Sequence, residues 1–271
     1  MKSIFKKEAP GQNRRCAVMI RRTTIFFFFV LLIALAGSCA RQPLPPAPPD
    51  HSANLGRVGT AARDLLTDTI YTSLLIEIQY MEGFEPDSMA VRNTVRFIEQ
   101  HAHKPDGVRV VLQQIPAVRD TISSIDELVA LEKIYRNNYN KEGEMAIYLL
   151  YTNGVFVEPG SLGYAYSATS AVVFGKNVAE NSNSVRRPSR TNLETKVLQH
   201  EVAHLMGLVN VGTPLQSDHK DNEHGKHCSN KQCLMYYTTD IEESPSLVML
   251  RKPLPVLDAA CLADLRANGG K

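Results

Sequence analysis

Apolar and polar positions follow two different periods along the chain. Residues 71–80 (Y-T-S-L-L-I-E-I-Q-Y) place Leu74, Ile76 and Ile78 at two-residue spacing among β-formers, which predicts a strand. Residues 87–103 change to a helical period, with Met89, Val91, Val95 and Ile98, joined by Phe97, on one side. The strand pattern returns at 108–115, and S-S-I-D followed by E-L-V-A-L-E-K-I-Y predicts a second helix from 123 onward. Residues 145–151 (M-A-I-Y-L-L-Y) are apolar on both faces, as a central strand requires. Residues 164–174, rich in Ser and Ala, read as an edge strand, and 175–190 as a polar loop. A further helix follows: Thr191 and Glu194 form a T-x-x-E capping box, Leu198, Val202, Leu205 and Leu208 supply an apolar face, and Gly207 ends it. Residues 256–267 predict a short terminal helix. The pattern as a whole predicts an α+β domain over 53–271, with a mixed twisted sheet and two packing helices.

The beginning of the chain has another character. Residues 23–37 are almost wholly apolar, follow Arg21 and Arg22, and end at Gly37-Ser38-Cys39. That is the layout of a secretory leader over 1–39, and the run is short for a membrane span. Cys39 at its end predicts a bacterial lipoprotein, lipidated on that cysteine and anchored to a membrane of the cell envelope. Met19 would make a more ordinary leader start than Met1. Residues 40–52 carry a run of prolines and read as a semi-rigid spacer. The formal charge of the 271-residue chain is +2. Residues 1–39 hold Lys2, Lys6, Lys7, Arg14, Arg15, Arg21 and Arg22 against one acid, Glu8, so the remainder carries −4. Nothing in that balance argues for a nucleic-acid partner.

The chemistry concentrates at 197–237, which holds five of the eight histidines. His200 and His204 are four residues apart, so a helix sets them on one face, one turn apart. Two imidazoles so placed can bind one Zn²⁺, and Glu201 between them can reach a water on that metal. A chance H-E-x-x-H in a chain of this length has a probability of about one per cent or less.

With Gly207, this segment resembles the metzincin zinc proteases, whose pattern is H-E-x-x-H-x-x-G, a third histidine and a later methionine turn. The position where that family keeps its third histidine holds Asn210, and the chain then supplies His219, His224 and His227 after a polar insertion. The segment His227-Cys228-S-N-K-Q-Cys233-Leu234-Met235 resembles the archaemetzincin pattern H-C-x4-C-x-M. The resemblance implies a zincin-like fold with an edge strand over the cleft and an active-site helix. It makes His227 the third ligand, with His219 the alternative, and puts Met235 in the methionine turn. Tyr237 sits where astacin-type members keep a tyrosine near the metal, either to stabilise an oxyanion or simply to pack. The activity implied is hydrolysis of peptide or protein substrates, with Glu201 as general base.

Archaemetzincins bind a second, structural zinc through a later C-x-x-C pair. This chain lacks that pair, so a second zinc is not expected. For Cys228, Cys233 and Cys261 the readings are a Cys228–Cys233 disulfide or buried thiols. The competing functional classes are a metal-binding lipoprotein without catalysis and an adhesion lipoprotein.

Overall fold

The computed structural model describes residues 50–118, 121–122, 124–156, 160–183, 187–237 and 253–271. The leader, Cys39 and most of the proline-rich spacer lie outside them. Two short helices, α1 (Ser52–Leu55) and α2 (Ala62–Leu66), precede strand β1 (Tyr71–Met81). Helix α3 (Ser88–His101), strand β2 (Val108–Ile115), the two-residue β3 (Thr121–Ile122) and helix α4 (Ile125–Tyr135) follow. Next come strands β4 (Gly143–Thr152), β5 (Val155–Phe156), β6 (Gly163–Ser167) and β7 (Ser170–Phe174). Helices α5 (Gly175–Glu180), α6 (Arg190–Leu205) and α7 (Ala259–Ala267) complete the order.

The main sheet runs β2-β1-β4-β7-β6, parallel throughout except for β6, which lies antiparallel to β7 at one edge. This is the expected mixed sheet, and β4 is central because it can be apolar on both faces. Met145, Ile147, Leu149 and Tyr151 point into a core shared with Ile98 of α3, Leu198 of α6 and Leu265 of α7. Tyr148 and Leu150 point the other way, toward Leu128 of α4. The two-residue period of a strand divides one apolar run between two layers.

Three expectations need correction. Residues 164–174 are not one edge strand but a tight hairpin, in which β6 forms the edge and β7 is fully buried beside β4. Ala168 and Thr169 make the turn, and both are buried because the Ala168 N–H donates to the Gly56 carbonyl (2.7 Å) and the Thr169 hydroxyl to the Asn54 carbonyl (3.2 Å). Part of the expected loop 175–190 is helix α5. Met89, assigned to the apolar side of α3, is 42% exposed, while Ala90, Val91, Thr94, Phe97 and Ile98 are buried.

The capping of α6 also differs, and the difference positions the site. Its N-cap is Ser189, whose hydroxyl accepts from the Asn192 N–H (3.2 Å). That frees Thr191 and Glu194 to tie α6 to α3. The Thr191 hydroxyl donates to Asp87 Oδ2 (2.9 Å) and the Asp87 N–H donates to Glu194 Oε2 (2.8 Å). Farther along, Asn93 Nδ2 donates to Thr195 Oγ1 (3.2 Å). Among the described residues, no helix is long and apolar enough to cross a membrane.

Candidate active site

Helix α6 buries Leu193, Val197, Leu198, Val202 and Leu205, and this fixes its rotation about its own axis. With that face committed to the core, His200 and His204 stand on the side facing the cleft, their ring centroids 4.7 Å apart. The helix stops at Leu205, and Gly207 takes φ 79°, where a Cβ would meet the side chain of Ala62 at 2.7 Å. Asn210 is exposed at φ 62° and takes no part in the histidine cluster.

The chain returns through the polar insertion. An antiparallel bridge between Lys220 and Cys228 folds that insertion back, and the Ser229 N–H donates to the His219 carbonyl (2.8 Å). The result delivers His227 to the two helical histidines, with centroids 5.3 Å from His200 and 5.4 Å from His204. One ring nitrogen of each histidine lies within 4.8 Å of the others. His219 is not in this group; it lies in a second cluster with Cys228, Asp258 and Cys261. His224 is exposed and stacks on Tyr237, centroids 3.4 Å apart and planes 4° from parallel.

The hydrogen bonds decide which nitrogens are available. His200 Nδ1 donates to the Leu234 carbonyl and His227 Nδ1 to the His224 carbonyl, both at 2.8 Å. Each of these rings therefore carries its lone pair on Nε2. His204 Nε2 lies 3.1 Å from His200 Nε2. Two imidazole nitrogens that close repel unless a proton or a cation lies between them. Burial keeps the rings neutral, as metal ligands must be: it pushes His200 down to about 4, holds His204 well below the usual histidine range and lowers His227, so either one shared N–H or a cation joins the two nitrogens. A tetrahedral zinc with bonds of about 2.05 Å has N···N edges of about 3.3 Å. The three histidines therefore fit a zinc ion by donor type, protonation and spacing.

Glu201 is buried, and burial pushes its carboxyl up to about 8 against the lowering effect of a hydrogen bond from the Ala165 N–H on β6. Gly163, also on β6, gives the carboxylate its room: a Cβ there would lie 2.8 Å from Glu201 Oε1 and from Val197 Cγ1. Sequence reasoning missed both residues, because their role depends on which strand lies over the helix. The cleft has a volume of about 480 Å³ and is walled by β6, by His200, Glu201, His204 and His227, and by Tyr236 and Tyr237. Met235 is wholly buried and follows Leu234, whose carbonyl orients His200.

The expected Cys228–Cys233 disulfide is not formed: Cys228, Cys233 and Cys261 are all free and buried. The Cys233 N–H closes a turn onto the Asn230 carbonyl (3.0 Å), and Cys233 Sγ lies 3.6 Å from Cys261 Sγ of α7.

Among solved structures, the chain is similar to archaemetzincin from Methanopyrus kandleri, at 17% identity over 73% of this chain and 96% of that one, with a TM-score of 0.46. It is also similar to metalloproteinase-II from Bacteroides fragilis, at 13% identity over 84% of this chain and 57% of that one, with a TM-score of 0.44. No sequence-family model and no curated protein matches the chain.

Proposed function

We propose that the protein is a zinc-dependent peptidase acting on extended segments of peptide or protein substrates. The observation that carries this reading is the convergence of the His200, His204 and His227 nitrogens in one cleft that also holds the buried carboxylate of Glu201. Zinc, when bound, supplies Lewis acidity that polarises a carbonyl and lowers the pKa of water to about 7. Glu201 takes the proton of the attacking water and passes it to the leaving amine. Among the described residues, strand β6 pairs with β7 on one side and forms the edge of the sheet, and such an edge can take an extended peptide as an added strand. Tyr237 offers its hydroxyl to the carbonyl oxygen as charge develops there.

The test is cleavage of a mixed peptide library by the zinc-loaded, full-length protein. Cleavage is expected, stops with a chelator and returns with zinc. Zinc-loaded protein that cleaves no peptide under any condition would leave the non-catalytic metal-binding lipoprotein as the better reading.

The reading includes a place of action: a bacterial cell-envelope membrane, reached through a lipid on Cys39. The apolar run after Arg21 and Arg22, ending in Gly37-Ser38-Cys39, supports it. Cys39→Ser should move the protein out of the membrane fraction or leave its leader uncleaved. A mature N-terminus that is unlipidated and begins elsewhere rules the anchor out.

A further inference from the structure

Among the described residues, the wall of the cleft contains one carboxylate, Glu201, and one lysine, Lys226. Glu201 is buried against β6, and the proposed reaction uses it for the water's proton. Lys226 is exposed to the solvent of the cleft, whereas Lys220 and Lys231 of the same segment do not line it. Among the described residues, no carboxylate forms an ion pair with Lys226. Val58, Leu162 and Val197 give the cleft an apolar part. A cleft so lined has a positive charge to spare and no spare negative one.

The loop that carries this lysine is held in place. The Asp221 N–H donates to the His227 carbonyl (2.7 Å), which closes residues 221–227 into a ring. Asp221 Oδ1 accepts from the N–H groups of Glu223 (2.8 Å) and His224 (3.1 Å), and Oδ2 lies 2.8 Å from His224 Nδ1. The Asp221 carboxylate is thus engaged within the loop. The His224 ring stacks on Tyr237, and its carbonyl accepts from His227 Nδ1.

The position of Lys226 follows from its neighbour. It directly precedes His227, so the two Cα atoms are about 3.8 Å apart. An extended peptide advances about 3.3 Å per residue, so a group that meets Lys226 belongs within about two residues of the bond held at the histidines.

We propose that Lys226 forms a subsite for a peptide carboxylate beside the bond to be cut, which makes acidic peptides the substrate class. The choice of peptides as ligands rests on the peptidase reading. An acidic side chain and the C-terminal carboxylate of a substrate offer the same chemistry to the ammonium. Lysine suits the task because it is a point charge on a flexible stem and can follow carboxylates set at different heights. Its charge also draws acidic peptides toward the cleft before they dock.

The experiment uses zinc-loaded, full-length protein and fluorescent peptides whose ends are acetylated and amidated. Twin peptides differ by a single Glu or Gln, moved through each position in turn. A further arm is the Gln peptide with a free C-terminal carboxylate. Binding is read by anisotropy in the Glu201→Gln background, so that the peptide survives, and cleavage is read with Glu201 intact. A carboxylate in the favoured position should tighten binding by roughly 5- to 20-fold, between what exposed and desolvated ion pairs supply. That ratio should shrink as salt is raised. Lys226→Ala should bring it to about one, and Lys226→Glu should turn the preference toward a Lys-bearing peptide. A preference confined to the free C-terminus assigns the carboxylate to the chain end and supports the same subsite. Peptides held with the preference but never cut would defeat the peptidase reading and leave the subsite standing. Twins bound equally or not at all with Lys226 intact, or a preference that survives Lys226→Ala, would overturn the proposal.

Discussion

Glu201→Gln is expected to lower peptide hydrolysis by roughly 10²- to 10⁴-fold, the usual contribution of a positioned general base, and to leave zinc content unchanged. Glutamine is nearly isosteric with glutamate and stays neutral, so it fits the same buried position. The space above Gly163 admits it equally. What disappears is the proton acceptor, while the three histidine donors are untouched. The measurement is the rate on a peptide cleaved by the wild type, with metal analysis of the same preparation. A variant that keeps zinc and wild-type activity would remove Glu201 from the chemistry. Loss of zinc would show that the carboxylate acts on the metal site itself.

His227→Ala is expected to weaken zinc binding in the cleft by at least about 10²-fold, since removing even a residue that only orients a ligand commonly costs 10- to 100-fold. The comparison with neighbouring histidines gives the test its force. His224→Ala should be nearly silent for metal, because His227 Nδ1 bonds to the backbone carbonyl of residue 224 and not to its ring. His219→Ala should spare the cleft ion, because its imidazole is turned toward the cysteines and Asp264. Asn210→Ala should change little, since that residue is exposed and outside the histidine cluster. Competition with a chelator of known affinity measures each of these. Zinc retained at full affinity by His227→Ala would move the third ligand elsewhere.

Glu201, His200 and His204 could be read from the chain because their relation is local. Four residues on a helix always share a face, and the apolar residues around them say which face is buried. The strands were legible for the same reason, down to β4, whose run of apolar residues on both faces marks a central position. Legibility failed where a local signal had a competing long-range use. Thr191 and Glu194 have capping-box spacing, yet they bind Asp87 on α3 while Ser189 takes the cap. The hairpin of β6 and β7 was hidden because its turn residues are buried and bonded to α1 and the segment after it instead of being marked by exposed Gly or Asn.

Helical and strand periods, the leader-like start and the pair of histidines around Glu201 belong to the chain as such, since bond geometry alone relates residues a few positions apart. The partner of those histidines does not. Spacing left His219 and His227 as rivals, and the folded insertion separates them: the Lys220–Cys228 bridge sends one imidazole into the cleft and the other into the thiol cluster. Cys261 shows the same dependence, meeting Cys233 only because α7 packs its buried face against the loop before Met235. Residues far apart in sequence have no fixed separation until burial of the apolar faces closes the loops between them. Side-chain clusters assembled that way are properties of the packed core.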